Sequence, residues 1–342
     1  MAFLVYSLLL LLSSTSRGSA LPNSQSRKEK IGASVQLSFV REFSSAEDVK
    51  GISHPILNKT LDIIAGPKEP SPSSPGMLLQ PHAVTTDSNH RIFVTDITAG
   101  VVHVFDFPNH EYWLLGAGNH LRLPLGVATD REGNVYVSDS GLRTVFVYDS
   151  NGKFIHYLKK PRGNESYFDA PHGIAVDSAT EHIYVCDTPR HMIIILDKKG
   201  HVIATLGKRG SGTAPGEFNN PTQVVSRAGE IIVLDAGNSR VQILDQRGHF
   251  QREIPLAYVG YRAGLAVDGE GNIYVNPELD RLQVFDGKGQ LLYSFGEHGT
   301  GAGQFNGVSG AWVDAGHCLY VVDSENKRVQ LFQIAGAGAG GC

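Results

Sequence analysis

The stretch PHGIAVDSATEHIYVCDTPRHMIIILDKKGHVIATLG, residues 171–207, holds four short apolar runs in succession: PHGIAVD, HIYVCD, HMIIILD and HVIATLG. Each run is strand-length and rich in β-branched residues, and turn residues separate it from the next. In DKKGH the glycine can take the positive φ of a tight hairpin. The stretch therefore reads as four antiparallel strands, here called a to d. A lone sheet of this kind cannot cover both of its apolar faces.

The same grammar recurs along the chain. Strand a returns as PHAVTTD (81–87), PLGVATD (124–130), PHGIAVD (171–177), PTQVVSR (221–227), RAGLAVD (262–268) and VSGAWVD (308–314), with end points 43, 47, 50, 41 and 46 residues apart. Strand b follows as IFVTD, VYVSD, IYVCD, IIVLD, IYVNP and LYVVD, and strand c ends in VVHVFD, VFVYD, IIILD, VQILD and LQVFD. Radial packing of similar sheets covers both faces of each and leaves only short edges. The expected fold is all-β: a six-bladed β-propeller of four-stranded antiparallel blades.

The last unit stops at VQLFQIAG (329–336), just after its strand c, so its outer strand must come from the N-terminal side and close the ring. LDIIA (61–65) is the expected closing strand, with VQLSFVREF (35–43) as a competing or additional one. The organisation expected is a signal peptide at 1–20, an N-terminal extension at 21–56, the propeller at 57–336 and a flexible tail at 337–342.

The signal assignment rests on an apolar run from Phe3 to Leu12 followed by G-S-A ending at Ala20. That run is shorter than the roughly 20 apolar residues of a membrane span, so export (extracellular or periplasmic) of a chain without a transmembrane segment is expected. A formal charge of −4 offers no general attraction for phosphates, and no nucleic-acid partner is expected. Cys186 and Cys318 fall in predicted strands of different repeats and Cys342 follows AGAGAGG, which reads as two buried small side chains and one exposed thiol rather than a disulfide framework. Asn58-Lys59-Thr60 and Asn164-Glu165-Ser166 fit the glycosylation pattern.

These units resemble NHL repeats. The likeness is carried by PHGIAVD…IYVCD, by FNNPTQVV…IIVLDAGNSRVQILDQRGHF and by DSENKRVQLF, and it spans roughly 60–336. It implies the fold and leaves the function open, because one architecture hosts unrelated activities.

Comparison among the repeats separates blade grammar from candidate sites. The Asp after strand b recurs as Asp96, Asp139, Asp187, Asp235 and Asp323, with Asn276 in the fifth copy, and is expected to accept backbone N–H bonds. Arg240, Arg281 and Arg328 stand five residues after it, and Arg143 and Arg190 lie nearby, so these arginines are placed around the face shared by the b–c and d–a loops. They pair there with the Asp column or bind an anionic ligand or protein partner.

His82 and His172 differ from this grammar. They open strand a beside the central channel, where the other copies carry Leu125, Thr222, Ala263 and Ser309. Neutral imidazoles from alternate blades could share a zinc or calcium ion in the channel. The peptidyl-α-hydroxyglycine amidating lyases, a secreted family with a similar ring, place three histidines at this position to hold a catalytic zinc; the resemblance gives His82 and His172 two of those places, and the third falls on Ala263. Tyr261 is the neighbour that could assist. No HExxH, GxSxG or P-loop is present. The leading expectation is an exported, monomeric, non-enzymatic ring that binds a protein, peptide or glycan at its loop-rich face. A metal-dependent lyase or hydrolase at the channel is the alternative, and RNA binding ranks last.

Overall fold

The computed structural model describes residues 36–50, 76–117, 121–158, 167–335 and 342. After β1 (Gln36–Phe43) and one helical turn, α1 (Ala46–Val49), blade 1 is formed by β2 (Pro81–Thr86), β3 (Ile92–Asp96), β4 (Val101–Asp106) and β5 (Glu111–Leu115). Blade 2 holds β6 (Pro124–Thr129), β7 (Val135–Asp139), β8 (Thr144–Tyr148) and β9 (Phe154–Leu158). Blade 3 holds β10 (Pro171–Val176), β11 (Ile183–Asp187), β12 (Met192–Leu196) and β13 (Val202–Gly207). Blade 4 follows with β14 (Pro221–Arg227), β15 (Glu230–Asp235), β16 (Arg240–Asp245) and β17 (Phe250–Pro255). Blade 5 comprises β18 (Leu265–Val267), β19 (Ile273–Glu278), β20 (Arg281–Phe285) and β21 (Leu291–Phe295). A short parallel pair, β22 (Glu297–His298) with β23 (Gln304–Phe305), leads into β24 (Val308–Val313), β25 (Cys318–Asp323) and β26 (Arg328–Ala335) of blade 6.

The core is not one mass but a set of apolar layers, each filling the space between consecutive blades. Val104 and Leu115 of blade 1 meet Val127 and Val137 of blade 2. The same pattern passes round the molecule until Tyr320, Val322 and Leu331 of blade 6 meet Val84, Val94 and Phe105 of blade 1. That last layer closes the ring, so both faces of every sheet are covered, which is what the repeat pattern requires.

The closing strand differs from the expected one. β1 pairs antiparallel with β26, from Gln36 opposite Ala335 to Phe43 opposite Val329, and so becomes the outer strand of blade 6. Its Phe43 is buried in the layer between blades 6 and 1, and its Glu42 reaches the buried Arg328. The place assigned to LDIIA is thus taken by the competing segment; residues 61–65, like the expected signal at 1–20, lie outside the described residues. The propeller also begins upstream of the boundary drawn at residue 57.

The cysteine reading is corrected as well. Cys318 and Cys342 form a disulfide with Cα atoms 5.7 Å apart, while Cys186 is the buried free thiol. Cys342 is thereby held against strands b and c of blade 6, and its backbone N–H donates to Gln333 Oε1 of strand c at 3.0 Å.

Blades approach one another closely at the third residue of strand a. A Cβ at Gly126 would lie 2.5 Å from the His172 carbonyl oxygen, one at Gly173 2.5 Å from that of Thr222, and one at Gly310 2.6 Å from that of His82. Backbone-to-backbone contact at this radius leaves room only for hydrogen. Side-chain hydroxyls then cross the joints: Ser140 donates to the Pro171 carbonyl at 2.6 Å, Thr188 to that of Pro221 at 2.8 Å, and Ser309 to that of His82 at 3.0 Å.

Candidate functional site

The Asp column after strand b performs a structural task. Asp96 accepts from the backbone N–H groups of Leu79 and Gln80, Asp139 from Arg122 and Leu123, Asp187 from Asp169 and Ala170, Asp235 from Asn219 and Asp323 from Asn306. Each ties its own b–c corner to the loop entering the same blade, which places the b–c and d–a loops on one face. Burial alone would raise Asp96, but the His103 side chain and the Ala99 and Leu79 N–H groups outweigh it and hold the carboxyl below its usual range. The carboxylates ending strand a do similar work in the tight turns, as Asp130 and Asp268 show by also accepting Tyr136 and Tyr274 hydroxyls.

The five arginines expected on this face have three fates. A guanidinium has five N–H donors. In Arg240 they go to Asp235 Oδ2, Glu253 Oε2 and the carbonyls of Thr213, Ala214 and Glu217, at 2.8–3.2 Å. In Arg328 they go to Asp323 Oδ2, Glu42 Oε2 and the carbonyls of Thr300, Gly301 and Gln304. Both side chains are buried. Arg240 and Arg328 are therefore struts that hold their entry loops, which is the pairing with the Asp column that was one of the two uses expected of them. Arg143 and Arg190 bracket Asp169, with Arg143 Nη2 at 2.6 Å and Arg190 Nε at 2.8 Å from its carboxylate; against the effect of burial, they keep that carboxyl below its usual range. Arg281 is exposed, and among the described residues it has neither a hydrogen-bond nor an ion-pair partner.

The two histidines do meet. Their ring centroids are 5.3 Å apart with planes at 73°, although Leu125 of blade 2 intervenes between them in the repeat order. Further along strand a runs a narrow cavity of ≈ 70 Å³ lined by residues including Ala83, Val127, Ile174, Val224, Leu265 and Ala311; neither histidine is part of its lining. His172 Nδ1 is 2.8 Å from the Thr222 carbonyl oxygen; a carbonyl only accepts, so Nδ1 carries the proton and Nε2 keeps its lone pair. Burial lowers the His172 pKa to about 4 against that bond. Burial, then the neighbouring His172, then Arg262 hold His82 well below the usual imidazole range. Both rings are neutral at neutral pH.

His82 is 2% exposed and neither of its ring nitrogens has a partner among the described residues; Thr222 Oγ1 is likewise buried and unpartnered among them. Ala263, at the third place implied by the lyase resemblance, is buried and supplies no donor atom. The residues present do not fit a three-histidine zinc centre, and among the described residues no three His, Cys, Asp or Glu side chains converge as a metal set. Tyr261 lies on the loop entering blade 5, 61% exposed, with its hydroxyl 3.2 Å from Asn220 Nδ2.

Sequence reasoning missed the apolar side chains of the face. Tyr258, Leu279 and Tyr261 are 68%, 63% and 61% exposed, more than any other large apolar residue described, and all belong to the loop-rich end of blade 5. A signal was present in the fifth repeat, where Asn276-Pro277 replaces the usual Asp and strand a shrinks to three residues, Leu265–Val267. Leu79 and Leu142 are exposed on loops of the same face in blades 1 and 2.

Residues 168–196 match the family model described as NHL repeat. Among solved structures, the chain is similar to streptogramin B lyase at a TM-score of 0.55 and 11% identity, covering 75% of this chain and 94% of that one. A protein of unknown function from Bacteroides thetaiotaomicron matches at 0.59 and 16%, over 76% and 71%. A catalytically inactive virginiamycin B lyase from Staphylococcus aureus with quinupristin matches at 0.54 and 11%, over 76% and 86%. At these identities the likeness speaks for the fold. The chain is a six-bladed β-propeller whose third blade carries the NHL repeat match.

Proposed function

We propose that the chain is an exported scaffold whose loop-rich face binds a protein or peptide, with a glycan as the remaining class of ligand. The observation that carries this reading is the grouping of its three most exposed large apolar residues, Tyr258, Tyr261 and Leu279, at one blade end of that face. Rigid aromatic side chains give contact area at low entropic cost and are enriched at binding surfaces. The polar residues that recur in the repeats are committed to loops and turns, so specificity falls to the positions where a blade departs from the pattern. Export is supported by the N-terminal apolar run and by the Cys318–Cys342 disulfide, which suits an oxidising compartment. The test is binding of the purified chain to peptide and glycan arrays beside a Tyr258→Ala, Leu279→Ala double variant. Loss of the bound features in the variant supports the face; unchanged binding removes it.

A second reading rests on the channel pair. His172 donates one ring N–H to a backbone carbonyl, the arrangement that orients metal-bound imidazoles, and both nitrogens of His82 lack partners among the described residues. Two imidazoles would hold a zinc or calcium ion less firmly than three fixed ligands, with zinc the better match to nitrogen donors. Elemental mass spectrometry of the chain and of His82→Ala and His172→Ala tests this reading. Near-stoichiometric metal lost in both variants supports it, and background metal in all three proteins ends it.

A further inference from the structure

Blades 4, 5 and 6 all place an arginine at the first residue of strand c, five positions after the Asp or Asn of strand b (Asp235, Asn276 and Asp323): Arg240, Arg281 and Arg328. In blades 4 and 6 two features bury that arginine. The first is the Asp ending strand b, whose Oδ2 takes Nε at 2.9 Å in Arg240 and 2.8 Å in Arg328. The second is a long glycine-containing entry loop, KRGSGTAPGEFNN (208–220) or GEHGTGAGQFNG (296–307), which turns three carbonyls onto the two Nη atoms.

Blade 5 has lost both. Asn276 stands in place of the Asp, and its amide is already engaged: Oδ1 accepts from Gly264 N–H at 2.6 Å and Nδ2 donates to the Val308 carbonyl at 3.0 Å. The entry loop is the short LAYVGYRAG (256–264), which lacks the glycine-rich turn found in the other two. Arg281 is released to the surface with no partner among the described residues. The nearest acidic groups in sequence do not reclaim it. Asp280 is held by His298 Nδ1 at 2.9 Å and by Gly307 N–H at 3.0 Å, and Glu278 is exposed without forming an ion pair to Arg281. The same substitution and the same shortened loop put Tyr258, Tyr261 and Leu279 into solvent at this blade end.

We propose that the loop-rich end of blade 5 is a docking site for an acidic peptide segment, a carboxylate of which pairs with Arg281 while Tyr258, Tyr261 and Leu279 receive its apolar side chains. This rests on the reading of the face as a binding surface and names its partner class. The charge argument is specific. A guanidinium whose counterparts are fully satisfied inside their blades is here displayed beside apolar surface, and a fork of N–H donors matches a carboxylate bidentately. Anchoring by aromatic side chains with an arginine among them is the composition of interface hot spots.

The probe is a fluorescein-labelled peptide alternating glutamate with leucine, beside the same peptide carrying glutamine at each glutamate, titrated by anisotropy into the full chain. The glutamate peptide is expected to bind more tightly, with the preference weakening as salt is raised. Arg281→Gln should cut that preference by about tenfold and Arg281→Lys should retain part of it. Because the Arg281 side chain has no partner among the described residues, the Arg281→Gln melting temperature should match the parent, which separates lost contact from lost fold. A preference that survives Arg281→Gln overturns the proposal. Equal binding of both peptides that falls with Tyr258→Ala also overturns it, while leaving the face itself as a binding surface. Tighter binding of a sulfated glycan fragment than of the glutamate peptide overturns it in favour of another partner class, and no binding of either peptide removes the acidic-peptide assignment.

Discussion

His172 of blade 3 donates its Nδ1–H to the carbonyl oxygen of Thr222 in blade 4, at 2.8 Å, across a joint where Gly173 leaves no room for a side chain. The imidazole is thus a clasp between blades, and its protonation is linked to the stability of the ring.

The sign of that linkage follows from the depressed pKa values. As pH falls through the ordinary 6.5, histidines of the unfolded chain take up protons while His82 and His172 do not, so stability decreases. For His172 the loss continues to about pH 4, where the folded form also protonates, and amounts to about 3 kcal/mol. Carboxylates with lowered pKa, such as Asp96 and Asp177, act mainly below about pH 4, whereas Asp187, whose carboxyl is pushed up by burial, opposes the trend above it. Urea unfolding of the parent and of His82→Leu at pH values between about 5 and 7 checks the prediction, and the variant should show the shallower slope.

Gly173→Ala should destabilise the fold by roughly 2 kcal/mol or more, because the added methyl meets the Thr222 carbonyl oxygen at 2.5 Å and the Gln223 Cα at 2.7 Å. Gly260→Ala is the matched control: nothing lies within 4 Å of its Cβ, and a change within about 0.5 kcal/mol is expected. Denaturant midpoints of the two variants give the comparison directly.

Arg240→Ala and Arg281→Ala should part company. The first leaves the buried Asp235 without its cation and releases the 208–220 loop, at a cost of about 3 kcal/mol or more. The second removes an exposed side chain with no partner among the described residues and should leave stability unchanged. Thermal melting of both variants distinguishes a strut from a surface residue.

Cys342→Ser should lower stability by about 3 kcal/mol, the usual effect of releasing a cross-link that spans 24 residues. Peptide mapping without reductant should recover the Cys318 and Cys342 peptides joined, and Cys186 as the free thiol.

Much of the fold was legible from the six strand-a runs and from the Asp at strand b in five of the six repeats, because the blade geometry calls for both. The closing strand was not, since LDIIA and QLSFVREF are both short and apolar enough to serve; what selects the latter is burial of Phe43 and the reach of Glu42 to Arg328. The disulfide was hidden because Cys318 and Cys342 become neighbours only after the chain end returns to β25. The fate of the arginines depended on entry loops whose carbonyl directions no spacing rule reveals. Yet the Asn276 substitution that frees Arg281 was visible all along as a break in the repeat.

The most direct measurement of the central claim is a hydrogen-exchange footprint of the full chain with and without its best array-selected ligand. Protection concentrated in the loops around 256–264 and 278–281, with the outer strands β9 and β13 unchanged, is the predicted result. Protection confined to the outer strands or to the hairpin turns of the opposite face would contradict the assignment of the loop-rich face as the binding surface.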